Sequence, residues 1–103
     1  MIRLFTATSG GYYEVTTYNS STAAWNVVGL GTSPGTDMQL WAYGGGLNEQ
    51  FEPVLLSTGY YKFIDRNSGL CLNVPGGAAT NNLQLQINTC NGSTSESFTL
   101  NLL

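Results

Sequence analysis

With 103 residues, 42% of them apolar and only 9% charged, the chain can build one modest domain with a surface of Thr, Ser, Asn, Gln and Gly. Lys and Arg total three (Arg3, Lys62 and Arg66) against a net charge of −3, which excludes the basic stripe that a nucleic-acid backbone demands. No apolar run approaches the roughly 18 residues of a membrane-spanning helix, and Met1–Phe5 is too short for a signal peptide, though an expressed fragment would have lost one.

Helix signals are poor: Gly, Thr, Ser and Asn abound, and no window keeps apolar residues at helical spacing for three turns. Short strands between turn residues fit better. Ile2–Ala7 reads as a first strand and Ser9-Gly10-Gly11 as a turn. Tyr12–Thr17 alternates around Tyr13 and Val15, Asn19–Thr22 turns, and Ala23–Val28 is the next strand. A loop over Gly29–Thr36, with Pro34-Gly35, leads to a strand at Asp37–Tyr43 and a Gly44–Gly46 turn. Gln50–Leu55 follows, with Pro53 placing it near an edge or bulge. Four more strands are expected at Tyr61–Arg66, Leu70–Val74, Leu83–Asn88 and Ser97–Leu102. Regular short strands with turns between them argue for an all-β barrel or sandwich.

The second set of strands is a copy of the first. Shifted by 47 positions, Ala24–Phe51 lies on Cys71–Phe98 without a gap. Asn26-Val27 falls on Asn73-Val74, Gln39 on Gln86, Gly45 on Gly92, and Glu49-x-Phe51 on Glu96-x-Phe98. Met38 and Leu40 match Leu85 and Ile87. A shift of 48 brings Gly11-Tyr12-Tyr13 onto Gly59-Tyr60-Tyr61. A repeat of this length governs the fold. The chain is expected to be one domain, 1–103, with a leading strand over 1–10, repeat 1 at about 11–58 and repeat 2 at about 59–103.

Few residues offer reaction chemistry. There is no His, and two Cys cannot make a four-ligand zinc site, so no metal or cofactor is expected. A Ser or Cys nucleophile would lack its usual base. Glu49 and Glu96 are the only repeated carboxylates. Glycoside hydrolysis needs two carboxylates across one bond, roughly 5–9.5 Å apart. Equivalent positions of two repeats sit apart around a pseudo-symmetry axis, so no enzyme is expected. In each repeated Tyr pair one ring is expected in the core and one partly exposed. Asn19-Ser20-Ser21 and Asn91-Gly92-Ser93 are glycosylation sequons, which Asn- and Ser-rich sequences also produce by chance.

The order Ser68-Gly69-Leu70-Cys71-Leu72-Asn73-Val74, then Gln86-Ile87-Asn88-Thr89-Cys90, resembles the ricin-type β-trefoil lectin family. The first repeat resembles it through Trp25-Asn26-Val27, Gln39-Leu40-Trp41 and Asn48-Glu49-Gln50-Phe51. The resemblance covers about residues 11–103. It implies a β-trefoil-like fold and non-catalytic carbohydrate binding, galactose-type or related glycans being the partners. It also implies a disulfide between Cys71 and Cys90, for which chain entropy gives roughly 3 kcal/mol, and hence an extracellular setting.

Within that resemblance Trp41 takes the place of the ring on which a sugar stacks. Alternation along its strand would turn Leu40 inward and Trp41 outward. Asn26, Gln39, Asn48 and Glu49 would surround it. A Trp packed under the Gly44–Gly46 turn, and buried amides tying loop backbone, are the structural alternatives. Trp25, standing where the second repeat has Leu72, is expected in the core. A weaker second site would use Asn73, Gln86 and Asn88, with Asn88 in place of the stacking ring and Ser95 in place of Asn48.

Three departures stand out. The family's Gln-x-Trp is Glu-x-Phe here, its sugar-binding Asp is Asn26 or Asn73, and two repeats replace the usual three. The third departure points to a homo-oligomer or to part of a larger chain. A β-trefoil protein-interaction or toxin-subunit module without sugar binding is the alternative function.

Overall fold

The computed structural model describes residues 3–17, 20–75 and 84–98. Eight strands run in sequence: β1 Arg3–Ala7, β2 Tyr13–Thr17, β3 Ser20–Val27, β4 Met38–Ala42, β5 Phe51–Leu55, β6 Tyr61–Asp65, β7 Cys71–Asn73 and β8 Gln86–Asn88. Single 3₁₀ turns lie at Val28–Leu30, Leu47–Glu49 and Thr94–Glu96, the first taking Val28 from the end of the expected strand Ala23–Val28. All strand pairings are antiparallel, in the order β4-β3-β2-β5-β6-β7-β8, with β1 added to β2.

The repeat in the sequence is a repeat of register. Tyr13 faces Phe51 across β2 and β5, and Tyr61 faces Phe98 in the same way one repeat later. Ala7 opposite Tyr13 is matched by Leu55 opposite Tyr61. β1 therefore stands to the first repeat as β5 stands to the second. β5 meets β2 only at Phe51. Pro53 lies beyond that contact, where a missing N–H interrupts no second ladder.

The core mixes aliphatic and aromatic side chains. Val27, Met38, Phe51, Phe63, Leu72 and Ile87 are buried, with Phe5, Trp25, Tyr61 and Phe98 packed on them. Trp25 stands edge-on to Phe51 at 5.6 Å and to Phe63 at 5.3 Å, and Phe5 stacks on Phe63 at 6.0 Å. Edge-to-face pairs contribute about 0.5–1.5 kcal/mol each beyond area burial. Trp25 is thus the core residue expected of it. Tyr13 packs edge-on to Phe5, whereas Tyr12 takes the Arg66 guanidinium over its ring at 4.5 Å. Arg66 also donates to Gln50 Oε1 at 2.8 Å and Ser9 Oγ at 3.0 Å, which ties the β1–β2 turn to both repeats.

Cys71 and Cys90 form a disulfide with their Cα atoms 5.1 Å apart. Two expectations are corrected. Ser20–Thr22 belong to β3 rather than to a turn, because β3 also pairs with β2, where Ser20 lies opposite Thr17 after a register shift. Leu40, expected to point inward, is 51% exposed although it sits opposite the core residue Trp25. The expected turn residue Asn19 and the ends of the expected strands Leu83–Asn88 and Ser97–Leu102 lie outside the described residues.

Candidate functional site

The β3–β4 hairpin and the 3₁₀ turn Leu47–Glu49 bring the expected residues together. Asn26 and Gln39 are directly opposite each other on β3 and β4. Their shared face lets Gln39 Nε2 donate to Asn26 Oδ1 at 3.0 Å. Asn26 Nδ2 in turn donates to Glu49 Oε2 at 3.0 Å. Glu49 Oε1 accepts the Gly44 backbone N–H at 2.7 Å. Asn48, the neighbour of Glu49, donates through Nδ2 to the Val27 carbonyl at 2.9 Å. Asn26, Asn48 and Glu49 are all buried.

Glycines permit this closeness. Gly45 has φ +81°, and its counterpart Gly92 has φ +72°. That left-handed backbone explains why glycine recurs there in both repeats. At Gly46 a Cβ would come within 2.6 Å of Asn48 Oδ1, so a side chain there would displace the amide.

The second repeat builds the same triad. Gln86 Nε2 donates to Asn73 Oδ1 at 3.0 Å, Asn73 Nδ2 to Glu96 Oε2 at 2.8 Å, and the Asn91 N–H to Glu96 Oε1 at 2.8 Å. Part of the hydrogen-bonding capacity of these groups is spent inside the protein. The triads hold the turn after the hairpin in place, which is the structural alternative weighed for Asn26 and Gln39.

Where the repeats differ is beside the triads. Trp41 faces Ala24 across the hairpin and is 60% exposed. Its counterpart Asn88 faces Cys71, and its Oδ1 accepts the Thr89 N–H at 2.8 Å. The disulfide of the second repeat is replaced by Ala24 and Tyr43 in the first. Trp41 and Gln39 alternate onto one face of β4. Burial, then the nearby Glu14 and Glu49 carboxylates, push the Tyr43 hydroxyl up from its ordinary pKa. Burial, then Glu49, push Glu14 up as well. Glu14 and Tyr43 are therefore neighbours of the triad. Sequence reasoning missed both, since neither recurs in the other repeat. Among the described residues no group of His, Cys, Asp and Glu is arranged to hold a metal.

A family model described as ricin-type beta-trefoil lectin domain-like matches residues 47–102. The chain belongs to this family. No curated protein matches it. Among solved structures, this ricin-type domain is similar to the designed 3-fold symmetric protein ThreeFoil, with TM-score 0.91 and 27% identity over 97% of this chain and 71% of that one. It is similar in fold to an exo-beta-1,3-galactanase from Clostridium thermocellum, with TM-score 0.91 and 22% identity over 98% of this chain and 22% of the galactanase. A mosquitocidal holotoxin aligns with TM-score 0.79 and 17% identity over 92% of this chain and 12% of the toxin. The fold is all-β and β-trefoil-like, with two ricin-type repeats, and carbohydrate binding is what its family suggests.

Proposed function

We propose that this domain binds glycans without catalysis, through a shallow site on the first repeat with Trp41 as its platform. The exposed Trp41 ring carries the reading. It stands at a position where two otherwise matching polar networks diverge, and nothing in the core requires it there. The apolar C–H face of a pyranose packs on such a ring, and amides at its edge pair with hydroxyls. Gln39 is half-buried on the same strand face and keeps Oε1 and one N–H for a ligand, beyond its bond to Asn26. Asn26, Asn48 and Glu49 form the wall behind it. The second-repeat group Asn73, Gln86 and Asn88 offers no ring and is the weaker site.

A single stacked sugar with few amide bonds should bind near millimolar, about −4 kcal/mol. Galactose-type sugars are the first to test, since a galactanase carries a similar fold. Catalysis is not part of the reading: Glu49 and Glu96 each serve their own repeat as internal acceptors. The reading places the protein in an oxidising, extracellular setting, which the disulfide favours. It treats 1–103 as one domain, with repeats at about 11–58 and 59–103 behind a leading strand over 1–10. The experiment is a titration with mono- and disaccharides of the parent, Trp41→Ala and Asn88→Ala. Binding lost in Trp41→Ala and kept in Asn88→Ala supports the site. Equal binding by all three proteins overturns it. No glycan binding by any of them transfers the surface to the protein-interaction reading.

A further inference from the structure

The turn after each hairpin is anchored alike in the two repeats but presents different side chains. In the first repeat it is Gly44-Gly45-Gly46, and the same positions of the second hold Asn91-Gly92-Ser93. The backbone anchor is shared. The Gly44 N–H donates to Glu49 Oε1 at 2.7 Å, and the Asn91 N–H donates to Glu96 Oε1 at 2.8 Å. Gly45 and Gly92 share the left-handed backbone as well. With its backbone so held, Asn91 is exposed. Its Oδ1 accepts the Ser93 N–H at 2.9 Å, which closes an Asx turn over the three residues. That bond engages the amide oxygen, and no described residue takes the Nδ2. Ser93 is half-buried, with its hydroxyl against that of Ser95.

We infer that Asn91 is an acceptor for an N-linked glycan. An Asn-x-Ser triplet meets the sequence requirement, and a surface loop of a secreted protein is where such a triplet is used. Asn91 stands on such a loop, directly after Cys90, and the Cys71–Cys90 disulfide favours an oxidising compartment. The donor is an oligosaccharide carried on a lipid pyrophosphate, delivered by a transferase. Asn91 Nδ2 forms a bond to the anomeric carbon, and the bond from that carbon to the pyrophosphate oxygen breaks. The lipid pyrophosphate leaves, and Nδ2 gives up one proton to a base of the transferase. Oδ1 and the Asn91 N–H take no part, so the bonds to Ser93 and Glu96 are kept. The triad of the second repeat is therefore undisturbed by the modification. The first repeat has glycine at all three turn positions and offers no acceptor there. The repeats are thus divided: the turn that follows Trp41 stays bare, and the turn that follows Asn88 carries the glycan. Glycan binding at Trp41 plays no part in this.

The test is secretion of the full chain, behind a cleavable signal, from a eukaryotic cell line that attaches N-linked glycans. Mass mapping then reads the peptide that holds Asn91 in the parent, Asn91→Gln, Ser93→Ala and Ser93→Thr. The parent and Ser93→Thr peptides are expected to carry a glycan that a peptide N-glycosidase removes, leaving Asp in place of Asn91. The Asn91→Gln and Ser93→Ala peptides are expected to be bare. Ser93→Ala keeps the Asn91 amide and the backbone bonds of the turn, so it separates loss of the acceptor triplet from loss of the fold. A bare Asn91 in secreted, disulfide-bonded parent overturns the inference, whether or not the other sequon at Asn19 is occupied. So does a glycan on Asn91 that persists in Ser93→Ala.

Discussion

Asn26 hands its Nδ2 hydrogen to Glu49 Oε2 at 3.0 Å, and Asn73 does the same to Glu96 at 2.8 Å. The positions that a glycan-binding reading singles out first are thus also the ones that hold each repeat's turn against its hairpin. On the proposed reading, glycan binding and fold would share these side chains. Variants at Trp41 leave the networks intact, whereas variants at the triads disturb both.

Glu49→Ala strands the Asn26 Nδ2 in a buried site and takes the acceptor from the Gly44 N–H at its exposed edge. The buried stranded donor costs about 1–3 kcal/mol. Glu49→Gln should be much milder. Its Oε1 still accepts from Gly44, and the Asn26 and Gln39 amides can both flip so that each donor meets an acceptor. Urea midpoints of the two variants beside the parent check this. Equal losses would show that charge, not acceptor geometry, holds the turn.

Trp41 and Trp25 should report separately on ligand and on fold. Trp41 is 60% exposed, while Trp25 packs among Phe5, Phe51 and Phe63. Iodide should quench Trp41 selectively, and a bound glycan should shield it. Trp41→Ala should change stability by less than about 0.5 kcal/mol, as exposed substitutions do. Quenching that survives in Trp41→Ala would place the accessible ring elsewhere.

Reduction should cost the domain stability without changing its sheet. The Cys71–Cys90 bridge closes a loop with a sequence separation of 19. Chain entropy gives roughly 3 kcal/mol for a ring of that size. Denaturant titration with and without a phosphine reductant measures the loss. Intact mass after alkylation should show two blocked thiols only in the reduced sample.

Asp65 should make the protein less stable as the pH rises from the acid side. It is fully buried, and one carboxylate oxygen is without a hydrogen-bond partner. Burial raises its pKa, while the Ser68 hydroxyl and N–H on the other oxygen oppose the rise. Below the ordinary Asp pKa of about 3.9 the group is neutral folded and unfolded, and it costs nothing. Between that value and the raised folded pKa the unfolded chain ionises first, and stability falls. Above the folded pKa the full cost is present. Glu14, also raised, acts in the same direction. Asp65→Asn should therefore flatten part of this decline. Stability against pH for parent and variant, from thermal unfolding, decides it; parallel curves would dismiss Asp65 as the cause.

The sequence by itself carried the repeat, and with it most of the fold. Each repeat must place Tyr13 or Tyr61 against Phe51 or Phe98, so matched spacing became matched register. Trp25 was legible as core because the other repeat has Leu there. Tertiary structure alone decided the rest. The exposure of Leu40 depends on whether a neighbouring repeat covers it, and local alternation cannot report that. Asn26 and Glu49 read as ligand groups in sequence, but they bond each other across 23 residues of chain. Only folding shows how much of their capacity the protein already uses. Glu14 and Tyr43 come into range of Glu49 only once β2 and the Gly44–Gly46 turn are brought together, because an electrostatic neighbour is set by distance in space and not by spacing along the chain.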